Sequence, residues 1–521
     1  MLQSAGHETS QTPNRVEAPG RVIRNGQSPW WPLWLLAPAI TPALGVIARN
    51  PVGIPHAERL FAVSIGSWLV TWLIALVLRR RGLTNVRSTF LLLVCLVMFY
   101  WGGRLLIVFG GLIGWGVVVA SVAGAAALTR RLDSDLLLRA AIVSVSVALL
   151  AGPLVDLVRV MTDWGEDHVT DSTTLSASLV SKPDIWLVMF DGHPSFDTIK
   201  ADIDPGEAMA LKTRYRDAGL SADWTTFASY WITDYSLPSI LNMGLPSEIP
   251  VSNNTTKQTL YRIIGGDNRL VDLLVDNGYE TYMIESGWSG STCSARFDHC
   301  ISSSWADEPM AFMLADSLIT DFLISRYGYA FTAGTRATTN WVLNNAVAVT
   351  RDRTPSFVFA HVLAPHPPFF LDSECAVEVS DSRAGVSFNH ANVDSEQREQ
   401  YLIQQMECLN SFVTQMVQKV GQDAIVVVLS DHGTDRRNQL AIDGTQWDRA
   451  AIRERMSVFL ALSGPVCPVS EIVTLPNVMR QVLSCHVAEG IEQVSDRVFI
   501  GPETELTPRE ISSLTRLVHD D

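Results

Sequence analysis

Three features are absent from this 521-residue sequence, and each absence narrows what the protein is expected to be. None of the seven cysteines forms a Cys-x-x-Cys pair, so a cysteine-rich metal site is disfavoured. No internal repeat is present, which argues against a repeat architecture. The polar leader is long and the first apolar block lacks a small-residue cleavage site, so no cleavable signal peptide is expected.

Apolar sequence dominates the first third of the chain. Five apolar blocks lie at about 31–48, 60–78, 88–103, 105–128 and 138–160. Each is near the length that crosses a hydrocarbon core, although the third is short. A buried helical core in a soluble protein is the alternative, but five such blocks favour a transmembrane bundle over residues 31–163. The glycine-rich run 110–116 is then a helix-packing feature and not a nucleotide loop.

Charge is distributed unevenly along the chain. Residues 1–163 carry 14 Lys+Arg and 7 Asp+Glu. Residues 164–521 carry 25 Lys+Arg and 47 Asp+Glu. Arginines concentrate before the first block and in two of the turns: Arg21, Arg24, Arg79, Arg80, Arg81, Arg87, Arg130, Arg131 and Arg139. The positive-inside rule assigns these segments to the cytoplasm. We therefore expect a cytoplasmic polar tail at 1–30 and an extracytoplasmic location for everything after about 163.

The rest of the chain is expected to be a linker and one large α/β domain. Residues 164–182 are polar and rich in Ser and Thr, which favours a linker, and 183–521 form the domain. Its patterns predict a mostly parallel sheet flanked by helices. The clearest elements are helices at 270–278, 412–420 and 475–483 and strands at 279–284 and 456–463.

Two apolar strands end abruptly on acidic residues. The run Ala424–Ser430 is followed by Asp431, His432 and Gly433, and a second run ends on Asp191 and Gly192. Such runs are typical of strands buried on both faces of a parallel sheet. Ligands in open α/β sheets gather at the C-terminal ends of strands, so a metal site is expected there.

A third segment, Phe227–Gly244, supplies hydroxyl groups. There a Thr/Asp/Ser cluster precedes Pro238, a pattern that predicts a helix beginning at the proline. A hydroxyl at a helix N-terminus suits a nucleophile that attacks an anion. A fourth motif, His361-Val-Leu-Ala-Pro-His366-Pro, follows the apolar run Phe357–Ala360.

With these four motifs, the chain resembles the alkaline phosphatase/sulfatase superfamily. The nearest branch is the membrane-anchored one that contains lipoteichoic acid synthases and lipid A phosphoethanolamine transferases. The resemblance places the first-strand acid on Asp191, the paired Asp-His on Asp431 and His432, and the nucleophilic threonine on Thr233. These residues would hold one divalent metal ion, Zn²⁺ or Mn²⁺ in preference to Mg²⁺ or Ca²⁺. The histidine motif of the transferases falls on His361 and His366.

The sequence departs from this family pattern in two places. Sulfatases carry a Cys or Ser two residues before the proline and an arginine beyond it. In this chain the residue two before Pro238 is Ser236, which stays open as an alternative nucleophile. No arginine follows, because Ile240 comes directly after Ser239. The absence of both the arginine and a cysteine disfavours a formylglycine sulfatase. No histidine follows the Asp-His-Gly motif between Thr434 and Ser463. An arginine from that stretch would then bind phosphate, and the candidates are Arg436, Arg437, Arg449, Arg453 and Arg455.

Six of the cysteines follow the apolar blocks. Their even number in an oxidising compartment predicts at least two disulfides, and sequential pairing is one of 15 connectivities. That pairing would join Cys293 to Cys300, Cys375 to Cys408 and Cys467 to Cys485. Cys95, inside the third block, is expected to be structural.

The resemblance implies a phosphotransferase at the outer face of a bacterial cytoplasmic membrane. Thr233 would attack the headgroup phosphate of a phospholipid, form a phosphothreonine and release diacylglycerol. His366 is the preferred proton donor and His361 the second candidate. A glycan, lipid A or polymer would accept the group, and no nucleic acid partner is expected. His193, Trp288 and Arg436 are further candidates for substrate binding. The alternatives are a sulfatase- or phosphatase-type hydrolase and a non-catalytic envelope protein.

Overall fold

The structure is a computed structural model of the whole chain. It describes residues 30–49, 57–132, 135–163, 175, 177–222, 225–245, 254–302, 307–320, 330–350, 354–378, 395–436, 447–470, 472–501 and 509–511. The expected cytoplasmic tail, except residue 30, and most of the linker, residues 164–174 and 176, lie outside the described residues. Arg21, Arg24 and Arg437 do as well.

Five long helices form the N-terminal part. They are α1 (Leu36–Arg49, after a short 3-10 helix at Trp31–Leu35), α2 (Ala57–Arg80), α3 (Asn85–Phe109), α4 (Gly111–Arg131) and α5 (Asp135–Asp163). All five, with α1 taken together with the preceding 3-10 helix, are long and apolar enough to cross a membrane. The third is not short, because α3 begins three residues before the predicted block 88–103 and continues to Phe109, which takes residues 105–109 from the predicted fourth block. The Thr84 hydroxyl accepts a hydrogen bond from the Arg87 amide and caps the helix start.

The turn between α3 and α4 confirms the predicted role of the glycine-rich run in part. Gly110 adopts a φ of 77°, and a Cβ at Gly114 would lie 2.6 Å from the Leu106 Cα atom. The absence of a side chain at Gly114 therefore lets the two helices approach closely. Gly111 and Gly116 border open space instead.

The C-terminal part contains a six-stranded sheet with the order β4-β3-β5-β1-β6-β8. Its strands are β1 (Ile185–Asp191), β3 (Glu280–Ile284), β4 (His299–Ile301), β5 (Ser356–Pro365), β6 (Ile425–Ser430) and β8 (Leu460–Ser463). All neighbours run parallel except β8, which is antiparallel to β6. The mostly parallel sheet is as predicted.

The predicted strand 456–463 is interrupted at Phe459, which corrects the expectation of one element. Before it, β7 (Ser457–Val458) joins a small sheet with β2 (Thr225–Phe227) and β9 (Ile472–Thr474). After it, β8 joins the main sheet. The Phe459 ring packs against Phe190 with centroids 6.3 Å apart, so the residue between the two strands is anchored in the core. A further pair, β10 (Val498–Ile500) and β11 (Arg509–Ile511), is antiparallel.

Helices flank the main sheet on both faces. Helix α11 (Glu308–Leu314) packs against the membrane helices instead, and the others described are α6 (Phe196–Asp202), α7 (Pro205–Asp217), α8 (Thr233–Leu241), α9 (Asn254–Ile264), α10 (Arg269–Asp276), α12 (Ala330–Val349), α13 (Ser395–Val420), α14 (Arg449–Met456) and α15 (Leu475–Leu483). The last agrees with its prediction, and α10 is followed by Gly278 at a φ of 78°. Helix α13 begins 17 residues before the predicted 412–420. Its first half buries only a sparse stripe, Leu402, Gln405 and Met406, so no apolar run marks it.

The central strands divide their side chains between two cores. Leu187 and Met189 face one core, while Val188 and Phe190 face the other. All seven residues of β1 are buried, which explains why its sequence is apolar without alternation. The sequential disulfide pairing is confirmed at Cys293–Cys300, Cys375–Cys408 and Cys467–Cys485, and Cys95 in α3 is free.

Candidate metal and catalytic site

Three adjacent strands carry the residues of the candidate site. Strand β1 lies between β5 and β6, and Asp191 is its last residue. Asp431 and His432 directly follow β6, while His361 lies within β5 opposite Met189. Because the carboxyl ends of parallel strands meet at one edge, residues far apart in the sequence come together there.

Asp191, Asp431 and His432 form a compact and buried cluster. One ligand atom from each lies within 4.8 Å of the others. The Nε2 atom of His432 is 3.5 Å from Asp191 Oδ1 and 3.3 Å from Asp431 Oδ2. The Thr233 hydroxyl oxygen is 3.0 Å from the same Nε2 atom. The structure therefore brings together the four residues expected to hold a metal.

Hydrogen bonds orient these side chains toward one point. His432 Nδ1 is 2.9 Å from the Gly433 carbonyl, so it donates its proton there and Nε2 keeps a lone pair. Asp431 Oδ1 accepts from the backbone amides of Gly192 (3.1 Å) and His432 (2.8 Å). Asp191 Oδ1 and Asp431 Oδ2 are buried, and neither has a hydrogen-bond partner among the described residues.

The charges of the cluster fit a divalent cation. Burial raises the pKa of Asp191 to about 7. Burial and the charge of Asp191 raise the pKa of Asp431 to about 8. Burial, with the nearby Arg455, lowers the pKa of His432 well below its usual value and keeps the imidazole neutral. Two carboxylates with unpaired oxygens and a neutral imidazole suit Zn²⁺ or Mn²⁺, which would favour the ionised acids.

Gly433 is required by close packing. A Cβ at this position would lie 2.0 Å from the Glu454 carbonyl oxygen. Glu454 Oε1 also accepts hydrogen bonds from the Thr434 hydroxyl (2.8 Å) and the Arg436 amide (2.6 Å). The end of α14 therefore packs directly on the loop that carries the candidate metal ligands Asp431 and His432.

Arg455 is the candidate arginine that lies beside the cluster, and the sequence alone did not select it. It is 4% exposed, and its guanidinium donates to the Trp231 carbonyl (2.7 Å) and to the Gly433 carbonyl (2.9 Å). Its charge lowers the pKa of both Asp191 and Asp431. It was one of five candidate arginines, and its place next to a buried strand was the only signal that distinguished it.

Helix α8 begins at Thr233 and not at Pro238, which corrects the predicted helix start. The Ile232 carbonyl accepts the first bonds, from the Tyr235 (3.2 Å) and Ser236 (3.0 Å) amides. The proline pattern was misleading because Pro238 lies within the helix. Thr233 is therefore the first residue of the helix and is partly exposed.

Ser236, the alternative nucleophile, is placed differently. Its side chain is fully buried, and its hydroxyl donates to the Asp431 backbone carbonyl at 2.5 Å. The two hydroxyls thus lie one turn apart on the same helix. The Thr233 hydroxyl lies beside the His432 ring, and the Ser236 hydroxyl contacts the backbone of Asp431.

The two histidines of the fourth motif lie near the cluster. Both lower the pKa of His432 through their charge. Neither ring nitrogen of His361 has a hydrogen-bond partner among the described residues, and burial lowers the pKa of His361 to about 3. The ring of Trp288 meets His361 edge to face, with centroids 5.9 Å apart. His366 Nδ1 is 2.5 Å from the Pro367 carbonyl.

Two further candidates have neighbours of their own. The His193 ring packs against Phe459 (4.7 Å) and Phe190 (5.7 Å), and its Nδ1 atom is 2.8 Å from the Pro194 carbonyl. The Arg436 guanidinium is paired with Glu399. Substrate binding by His193, Trp288 and Arg436 stays a prediction.

Comparison with known proteins identifies the family. The Sulfatase family model matches residues 183–458, which is more than half of the chain. The chain therefore belongs to the sulfatase family, and the resemblance to the alkaline phosphatase/sulfatase superfamily is confirmed. No curated protein sequence matches the chain.

Similar solved structures include transferases and other superfamily members. One is the zinc complex of the C-terminal periplasmic domain of EptC from Escherichia coli (12% identity, TM-score 0.40, 64% of this chain and 94% of that chain). Another is the soluble domain of lipooligosaccharide phosphoethanolamine transferase A from Neisseria meningitidis (12% identity, TM-score 0.37, 60% of this chain and 88% of that chain). A third is an alkaline phosphatase superfamily protein from Vibrio parahaemolyticus (12% identity, TM-score 0.41, 64% of this chain and 77% of that chain). At these TM-scores, the similarities carry no further argument.

Proposed function

We propose that this protein is a membrane-anchored, metal-dependent phosphotransferase. It moves a phospholipid headgroup phosphate, of the phosphoethanolamine or phosphoglycerol type, to an acceptor in the cell envelope. The observation that carries the proposal is the Thr233 hydroxyl, 3.0 Å from His432 Nε2 and next to two buried carboxylates with unpaired oxygens. An intact ligand set favours an enzyme over a non-catalytic envelope protein that kept the fold.

Each residue has a defined task in the reaction. Asp191, Asp431 and His432, with the Thr233 oxygen, would hold the metal, which would supply positive charge beside the phosphate and lower the pKa of the Thr233 hydroxyl. Thr233 gives its proton to solvent, and its oxygen forms a bond to phosphorus. The bond from phosphorus to the diacylglycerol oxygen breaks, and His366 protonates that oxygen, with His361 as the second candidate. An acceptor hydroxyl on a glycan, lipid A or a polymer then attacks phosphorus and gives its proton to His366, while the bond from phosphorus to the Thr233 oxygen breaks and that oxygen takes a proton from solvent.

The burial of Ser236 supports Thr233 as the nucleophile. The Ser236 hydroxyl already donates to the Asp431 carbonyl and has no exposed surface, whereas Thr233 is partly exposed. Replacing Ser236 would leave the buried Asp431 carbonyl without this donor, at a cost of about 1–3 kcal/mol. It would not remove the attacking oxygen.

The arrangement of the helices supports an extracytoplasmic site. Helix α2 starts beside the C-terminal part, where Arg59 lies 3.7 Å from Asp307, and ends at Arg79 and Arg80. Helix α4 ends at Arg130 and Arg131 after starting next to the end of α3. These arginines therefore lie at the opposite ends of the helices from the candidate site, as the positive-inside rule requires of an outer domain.

The test is a labelling experiment with purified full-length protein and phospholipid labelled in its headgroup. Without acceptor, we expect diacylglycerol and a labelled peptide that contains Thr233, detected by mass spectrometry. Thr233→Ala should abolish both products and Ser236→Ala should retain them. Asp431→Asn and His432→Ala should lose the metal in elemental analysis as well as activity.

Two results would contradict the proposal. An active Thr233→Ala together with an inactive Ser236→Ala would assign the nucleophile to Ser236. Rapid release of free headgroup phosphate without any dependence on acceptor would make the protein a hydrolase.

A further inference from the structure

The segment Asp307–Thr320, which we call the clasp, contacts both the membrane helices and the candidate site. Its helix α11 places Met310, Met313 and Leu314 in the same apolar core as residues of α1–α3 and α5. All three side chains are at most 6% exposed. This packing between two parts of the chain removes apolar area from water or lipid and fixes the position of the clasp.

Backbone hydrogen bonds join the end of the clasp to α3. The Gly103 amide donates to the Asp316 carbonyl (2.8 Å), and the Phe99 carbonyl accepts from the Leu318 amide (2.9 Å). A Cβ at Gly103 would lie 2.5 Å from the Ser317 carbonyl oxygen, so this approach requires a glycine. The obstacle is backbone, which cannot move aside as a flexible side chain would.

Charged pairs add to the same contact. Arg59 lies 3.7 Å from Asp307 and donates to the Ser302 hydroxyl at 2.8 Å. Arg104 lies 3.4 Å from Asp316, but its side chain is 71% exposed. Exposed pairs contribute about 0–1 kcal/mol, so the apolar packing and the Gly103 contact carry most of the attachment.

The other end of the clasp holds the loop that carries Trp288. The Glu308 amide donates to the Gly287 carbonyl (2.8 Å). The Glu308 carboxylate accepts from the Ser289 amide (2.9 Å) and the Ser289 hydroxyl (2.5 Å). Trp288 lies between these two anchored residues, with its ring against His361 and Tyr261.

We propose that the clasp is a positioning device that holds the Trp288–His361 wall of the candidate site at a fixed place relative to the membrane helices. Gly103 and Glu308 are its two positioning residues. The consequence for activity, which rests on the proposed function, is that a donor embedded in the bilayer needs the clasp, whereas a small water-soluble phosphodiester does not. Such a substrate reaches the metal cluster by diffusion from the aqueous side.

The test compares Gly103→Val with Gly116→Val in full-length protein in lipid nanodiscs. Both glycines lie in membrane helices, but a Cβ at Gly116 meets nothing within 4 Å. Amide hydrogen exchange is measured over residues 285–291, and turnover is measured with a lipid donor and with bis(p-nitrophenyl) phosphate. A displacement of the order of 1 Å far from the reacting atoms can cost about a hundredfold in rate.

We expect Gly103→Val to speed exchange in this loop and to lower turnover of the lipid donor by about a hundredfold. Its turnover of the soluble ester and the exchange of β1, β5 and β6 should match those of Gly116→Val. At the other end, Glu308→Ala should also speed exchange, and Glu308→Gln should restore protection because its amide oxygen still accepts from Ser289.

Three outcomes would overturn the inference. Loop exchange equal in the two glycine variants would show that the clasp does not hold the loop. Equal loss of turnover on both substrates, with faster exchange throughout the sheet, would indicate general destabilisation. Failure of Glu308→Gln to restore protection would remove the role of the carboxylate contacts. Absence of turnover in the unsubstituted protein would refute the proposed function instead. The exchange data would still show whether the clasp holds the loop that carries Trp288.

Discussion

At the scale of single residues, the Gly433 carbonyl connects the metal ligands to a buried charge. It accepts from both His432 Nδ1 and the Arg455 guanidinium. The same guanidinium holds the Trp231 carbonyl, two residues before Thr233. One side chain therefore orients the loop on which the candidate metal ligands lie and the start of the helix that carries the proposed nucleophile.

We expect Arg455→Met to weaken metal binding by about 10- to 100-fold, because partners that orient ligands have effects of that size. Arg453→Met on the same helix is the matched control. Arg453 lies 3.3 Å from Asp202, and this ion pair is not part of the cluster. The measurement is competition for the metal with a chromophoric chelator. Equal affinity in the two variants would contradict the role assigned to Arg455.

The raised pKa values of Asp191 and Asp431 predict how pH affects the metal-free protein. Protons bind these acids more tightly in the folded chain, with pKa values of about 7 and 8, than in the unfolded chain. Their contribution to stability is therefore present at pH below about 4 and is lost as pH rises through 7 to 8. After chelation, the melting temperature should fall between pH 5 and 8. Asp191→Asn with Asp431→Asn should flatten this dependence, and an unchanged slope in that variant would refute the explanation.

At the scale of elements, the disulfides close loops of different length. Cys375–Cys408 spans 33 residues and ties the chain after β5 to α13, whereas Cys293–Cys300 spans 7 residues and ties the loop after β3 to β4. Loop-closure entropy predicts that removing the longer bridge by paired Cys→Ser substitution costs about 4 kcal/mol and removing the shorter one about 2 kcal/mol. Urea unfolding of the two double variants measures the difference. A larger loss for Cys293–Cys300 would reject the entropic account.

Elements with strong apolar signals were predictable from the sequence, and those defined by tertiary contacts were not. β1, β6 and α15 are marked by unbroken or periodic apolar residues, and the acids at the strand ends located the candidate metal cluster. The change of sheet at Phe459 has no local signal, because β7 and β8 are separated by a residue that is apolar like its neighbours. The start of α8 depends on the Ile232 carbonyl, and the contact between Gly103 and the clasp depends on residues more than 200 positions apart.

At the scale of the whole molecule, the five helices and the α/β domain predict a definite topology. An alkaline phosphatase reporter fused after residue 165 should be active, because that point is expected outside. A fusion after residue 84, between the arginine-rich end of α2 and the start of α3, should be silent. Immunoblots against the reporter control for expression. The reverse pattern would overturn the topology and the argument for a membrane-lipid donor.

The strand order has a consequence for the biosynthesis of the protein. Ile185 in β1 pairs with Phe357 and with Ile425, which are 172 and 240 residues further along the chain. During synthesis, β1 must therefore wait for both of its neighbours before the sheet can close around it. With the proposed topology, Asp191 meets Asp431 and His432 only after all three have been translocated. An ion bound at the proposed site would then be drawn from the metals available outside the cytoplasm, and cytosolic metal homeostasis would not select it.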